Sequence, residues 1–96
     1  MTGVAAVPEA ERERYDLINK IAQHIPYQLR RMDYIDAVAL ALDVFEQHPK
    51  DRGNGDRREV LAAHGGSRWH RLPGMNRQAA IEAYEILIAG EIEPIL

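Results

Sequence analysis

The stretch Tyr34-Ile35-Asp36-Ala37-Val38-Ala39-Leu40-Ala41-Leu42-Asp43-Val44-Phe45 decides the fold. It is apolar nearly all round, broken by only two aspartates, and its residues lack the strict alternation of a half-buried strand. A helix that is apolar on most sides is buried on most sides. Asp33 is a suitable N-cap and Pro49 stops the run, so a helix is expected over about 33–48. In a chain of 96 residues that helix is the centre of the domain, part of an interface with a second copy, or both. Self-association is therefore expected, with Val38, Leu42 and Phe45 at its core.

Outward from this segment, Pro8 opens a helix whose first turn carries Glu9, Glu11 and Glu13, where the helix dipole favours acids. Leu17, Ile18, Ile21, Ala22 and Ile25 recur at three- and four-residue spacing and form one apolar stripe. Pro26 ends it, giving a helix over about 9–24 and leaving 1–8 as an N-terminal arm. Lys50-Asp51-Arg52-Gly53-Asn54-Gly55 is a loop without an apolar residue. Asp56 and Glu59 then have the form of a capping box, and Gly65-Gly66 stops a short helix over about 56–64. Residues 65–75 read as extended or irregular. Asn76 reads as an N-cap before a last helix over about 76–90, with a stripe of Ala80, Ile81, Tyr84, Leu87 and Ile88. The expectation is one all-α domain over 9–96: three main helices, a short one and an extended segment. The chain has too few aromatic residues for a sandwich core, and Leu, Ile, Val and Ala supply the apolar mass.

Cysteine is absent, which excludes disulfides and thiolate metal sites. No apolar run approaches the roughly 20 residues of a membrane span, and the first residues lack the pattern of a signal peptide. A cytoplasmic protein is expected. Arginine outnumbers lysine ten to two, and the net charge of −3 conceals an uneven layout. Lys50 to Arg77 holds seven cations against three anions; the remainder holds five against twelve. The basic segment is the strongest signal of a partner-binding surface.

Chemistry finds less support. His24, His48, His64 and His70 include no pair at the spacing that sets two imidazoles on one helix face, so no metal is expected. His64 and His70 straddle the Gly-Gly turn and are within reach of Asp51 or Asp56. Ser67 is the only serine and is not in a Gly-x-Ser-x-Gly elbow. Asp36 and Asp43 mark the wet edge of the central helix or pair with an arginine such as Arg30. Gly53-Asn54-Gly55 precedes a helix start, but without a following Gly-Lys-Ser/Thr it is a connector rather than a phosphate loop. No catalytic residue, cofactor or small-molecule ligand is expected. Arg57, Arg58, Arg68, Trp69, His70, Arg71 and Arg77 form the candidate site for a protein partner or nucleic acid, combining cations with one aromatic ring. Trp69 has two readings: a stacking residue on that surface, or a core residue beneath a loop of arginines that are solvated or paired with the acidic helices.

Ala62-Ala63-His64-Gly65-Gly66-Ser67-Arg68-Trp69-His70-Arg71-Leu72-Pro73, with Asn76-Arg77, Ile81 and Tyr84, resembles the Gly-Gly–aromatic–Pro element of Mor-type phage transcription activators. That resemblance implies a helical dimerisation region, an extended Gly-Gly segment and a DNA-binding helix-turn-helix. Only six residues follow Gly90, so the second recognition helix of such a motif is not expected here. Trp69, Leu72, Gly74, Ala80, Ala83 and Tyr84 are similar to the start of the last helix of acyl-CoA-binding proteins. The basic residue four before the tryptophan is Gly65 here and the Tyr-x-x-x-Lys pair is missing, so acyl-CoA binding is not expected. The functional expectation is a small non-catalytic regulatory or interaction protein of bacterial or phage type, working through protein–protein contacts as a homodimer. A nucleic-acid-binding accessory protein using residues 50–77 is the alternative.

Overall fold

A computed structural model describes residues 9–25 and 31–90. It is all-α, as the periodicity requires. Helix α1 spans Glu9–Gln23, α2 Arg31–Gln47, α3 Arg57–Gly65, α4 Ser67–Arg71 and α5 Gly74–Ala89, with a 3-10 turn at Pro49–Asp51. The N-terminal arm and the residues after Gly90 lie outside the described residues. No described helix is long and apolar enough to cross a membrane.

Helix α2 is the hub. It packs most extensively on α5 and also touches α1, α3, α4 and the 3-10 turn. Ala37, Val38, Leu40, Ala41, Leu42 and Val44 of α2 are buried, as are Ala79, Ala80, Ala83, Tyr84, Ile86 and Leu87 of α5. Small alanines on both helices allow the axes to come close, and the larger side chains fill the grooves between them. Leu17, Ile18, Ile21 and Ala22 close the third side with the stripe that their spacing specified.

This enclosure corrects the expected placement of Val38 and Leu42 at a self-association surface. Val38 and Leu42 have no exposed surface at all, because α1, α3 and α5 of the same chain cover the helix between them. Phe45 is half-buried, with its ring edge-on to Tyr84 at 6.4 Å. The Arg52 guanidinium lies 3.7 Å from the Phe45 ring centroid, and its Nε donates to the Phe45 carbonyl at 2.6 Å. Val38 and Leu42 are thus core residues of the single chain, while Phe45 keeps part of its surface exposed.

Three boundaries also differ from expectation. Helix α2 begins two residues before Asp33. Helix α5 begins at Gly74, with Pro73 in the cap position and Asn76 buried inside the first turn. The segment 65–75 is not extended, for Ser67–Arg71 is a helix of its own. The physical reason lies in Gly66, whose φ of 56° and ψ of −126° belong to backbone space that is essentially reserved for glycine. One such residue turns the chain and lets a new helix start at once. Its neighbour Gly65 works by size: a Cβ there would sit 3.1 Å from both Leu40 Cδ1 and Trp69 Cβ. The α3–α4 corner thus presses directly on α2.

Candidate functional site

The basic segment folds into the corner made by α3, α4 and the start of α5. Asp56 opens α3 as the capping pattern indicated, its Oδ1 accepting from the backbone N–H of Arg58 at 2.8 Å and of Glu59 at 3.4 Å. This places Arg57 and Arg58 on the first turn. Arg57 donates to the Gly55 carbonyl at 2.9 Å and, with Arg58, Ile81 and Glu85, lines a shallow surface groove between α3 and α5.

At the centre of the corner Trp69 is 4% exposed. The core reading of this residue holds, and the indole is no surface platform. Arginines pack around it. The Arg58 and Arg77 guanidiniums lie 5.9 and 5.6 Å from its ring centroid, within the range of cation–π attraction. Arg77 also donates through Nε to the Trp69 carbonyl at 3.2 Å and through Nη2 to the His70 carbonyl at 3.0 Å. Both carbonyls lie in the last turn of α4, where Trp69 also accepts from the Leu72 N–H at 3.1 Å, so Arg77 caps the end of this short helix.

The remaining candidates divide. Arg68 reaches back to Asp43 of α2 at 2.7 Å, and Arg14 of α1 pairs with the same carboxylate and with Glu46 at 2.8 Å. Burial works against the Arg14 charge, but the hydrogen bonds and charges of Glu46 and Asp43 outweigh it and hold its pKa above the ordinary value. The aspartate does pair with arginines, from α1 and α4; Arg30 lies outside the described residues. His70 and Arg71 are exposed, and among the described residues the Arg71 side chain hydrogen-bonds only within its own helix, to the Ser67 carbonyl 3.3 Å away. Among the described residues Arg58, Arg71 and Arg77 have no carboxylate partner. Met75, 60% exposed, follows four residues after Arg71 and two before Arg77.

A second cluster lies at the far end of α2; it realises the expected approach of His64 to Asp51 and adds His48, to which the histidine spacings did not point. His48 ends α2, Asp51 closes the 3-10 turn and His64 occupies the last turn of α3. His64 Nε2 is 2.6 Å from Asp51 Oδ2, and the His48 and His64 rings are stacked at 3.5 Å with 13° between their planes. One ligand atom from each of the three residues lies within 4.8 Å of the other two. Tyr84 fixes this turn from below, donating to the Asp51 carbonyl at 3.4 Å. Burial, reinforced by the charge of Asp51, pushes the Tyr84 phenol above its ordinary pKa. The signal for His48 was local: in a 3-10 turn, side chains three apart lie above one another, and Pro49 placed such a turn between His48 and Asp51. His70 and Asp56 take no part.

No family model, curated protein or solved structure matches the chain.

Proposed function

We propose that this chain is a small non-catalytic interaction protein that binds an acidic, partly apolar surface of a partner protein at the corner of α3, α4 and α5. One observation carries the reading: Arg58, Arg71 and Arg77 lack carboxylate partners among the described residues, whereas Arg14 and Arg68 have them. A folded protein of net charge −3 has acids available to neutralise its arginines. A face on which Arg57, Arg58, Arg71 and Arg77 have no carboxylate partner among the described residues keeps a positive local potential and attracts anionic partners. Exposed Met75 and Pro73 on the same corner supply the apolar contact that protein interfaces place among arginines.

The burial of Trp69 favours a protein over a single-stranded nucleic acid, because it removes the indole on which bases would stack. The corner also lacks the parts of a catalytic site. Ser67, the only serine, is exposed, and no described histidine or carboxylate is hydrogen-bonded to it.

The test is titration of the protein with a helical Glu/Leu peptide, duplex DNA, single-stranded DNA and RNA, each over a salt series from about 50 to 300 mM. The expected result is peptide binding of modest salt dependence, with nucleic acids weaker at every salt concentration. Affinity for duplex that exceeds that for the peptide, and falls with roughly one power of salt per phosphate contacted, would instead make the corner a nucleic-acid face.

A further inference from the structure

We propose that His48, Asp51 and His64 form a binding site for a single divalent transition-metal ion of the zinc type, with one coordination position left to solvent. The donor set is two imidazole nitrogens and one carboxylate oxygen. It suits zinc, cobalt, nickel or copper, and is a poor match for calcium or magnesium, which favour all-oxygen shells. The three donors come from three elements that the core holds in place. His48 ends the helix at the centre of the fold, Asp51 belongs to a turn tied to Tyr84, and His64 belongs to α3.

The distances are those of a site before metal entry. A tetrahedral zinc ion with bonds of about 2.0–2.2 Å holds its donor atoms roughly 3.3–3.6 Å apart, and here they lie within 4.8 Å. His64 Nε2 and Asp51 Oδ2 are 2.6 Å apart, joined by a hydrogen bond that a cation bound between them would replace. The His48 and His64 rings must leave their face-to-face stack, since parallel rings direct their lone pairs side by side rather than to one point. That requires side-chain rotation at sites with open surface: His48 and Asp51 are half-buried and His64 is exposed. The neighbouring guanidiniums are engaged elsewhere. Arg52 lies on Phe45 and donates to its carbonyl, and Arg57 donates to the Gly55 carbonyl. Asp51 is left with His64 as its only side-chain partner among the described residues. Three protein ligands and an open fourth position hold a metal exchangeably rather than as a structural clip, and the core of α1, α2 and α5 does not depend on it. The site shares no residue with the basic corner, so its test is independent of the partner-binding reading.

The experiment is calorimetric titration of the untagged full chain with Zn2+, alongside Co2+ titration followed by its visible d–d absorption. We expect one Zn2+ per chain, a Co2+ spectrum of low-coordinate N/O type, a melting temperature that rises with Zn2+, and no saturable binding of Mg2+ or Ca2+. His64→Gln and Asp51→Asn should each weaken Zn2+ binding by about tenfold or more, as loss of even a supporting contact does at metal sites. The double variant His24→Gln/His70→Gln should bind as the parent does. Asp51→Asn leaves both rings and the backbone in place, so it serves as the deciding variant if a histidine substitution disturbs folding. Absence of saturable Zn2+ binding overturns the proposal, as does binding unaffected by Asp51→Asn and His64→Gln.

Discussion

Arg68 and Arg71 stand three residues apart on the same short helix, yet only one of them is tied to the fold. Arg68 projects toward α2 and shares the Asp43 carboxylate with Arg14 of α1, so three helices are linked through one aspartate. Arg71 projects outward and finds only a carbonyl of its own helix. The difference is one of placement rather than chemistry: a helix packed along one side assigns its residues to inside or outside by angle. Charge composition over 50–77 therefore marked a basic region but could not divide it into arginines that hold helices together and arginines that face outward.

The first way to break this comparison is to remove what both arginines are arranged around. Trp69→Ala deletes a buried indole that anchors the α3–α4 corner on Leu40 and α2. It should cost about 3–5 kcal/mol in denaturant unfolding, the range for large core aromatics, and should blue-shifted emission be absent in the parent the indole is not buried. A loss below about 1 kcal/mol would place Trp69 on the surface and merge the two sets of arginines into one. Next in size is the cap of α3. Asp56→Ala should cost about 1 kcal/mol, while Asp56→Asn, which keeps an acceptor oxygen, should cost less; equal losses would mean that charge rather than capping is what Asp56 contributes.

Asp43→Asn sharpens the comparison from the acidic side. It leaves Arg14 and Arg68 without their shared charge, and should cost about 0.5–1 kcal/mol, since both pairs are partly exposed and screened. The loss should shrink in high salt. Peptide binding at the corner should rise or stay constant, because Arg68 is released rather than removed.

How much of this was legible depended on the range of the signal. The stripe of α1, the continuous apolar run of α2, the Asp56 cap and the Gly90 stop are written in residues a few positions apart, and the structure follows them. Helix α4 was not legible: Ser67-Arg68-Trp69-His70-Arg71 has no helical stripe, being too short for one, and it forms because Gly66 turns the chain and Arg77 caps the far end. The covering of Val38 and Leu42 by the chain's own α1, α3 and α5 was equally hidden, since the pattern of a helix states how much surface must be covered and not by what. The convergence of His48, Asp51 and His64 joins residues that the loop separates by up to sixteen positions, a distance at which spacing rules on a single helix carry no information.

A smaller effect concerns Tyr84. Its phenol pKa is raised above the ordinary value of 10.0, chiefly by burial and then by the charge of Asp51. A group whose folded pKa is raised contributes stability that is complete below the unfolded pKa and is lost as pH climbs through the folded one. Unfolding free energy should accordingly decline above pH 10.0, and Tyr84→Phe should flatten that alkaline limb. At neutral pH the substitution should cost no more than about 1 kcal/mol, because its hydrogen bond of 3.4 Å is long.

The most direct test of the central claim pairs two charge reversals. Arg58→Glu/Arg71→Glu should lower stability by no more than about 1 kcal/mol, the worth of the cation–π contact of exposed Arg58 with Trp69, and should abolish binding of the acidic Glu/Leu peptide. Arg14→Glu/Arg68→Glu should do the opposite, lowering stability by setting four carboxylates against one another across α1, α2 and α4 while leaving most peptide affinity in place. If reversal of Arg58 and Arg71 destabilises the fold by more than about 1 kcal/mol and spares peptide binding, the division between fold-holding and partner-facing arginines is wrong.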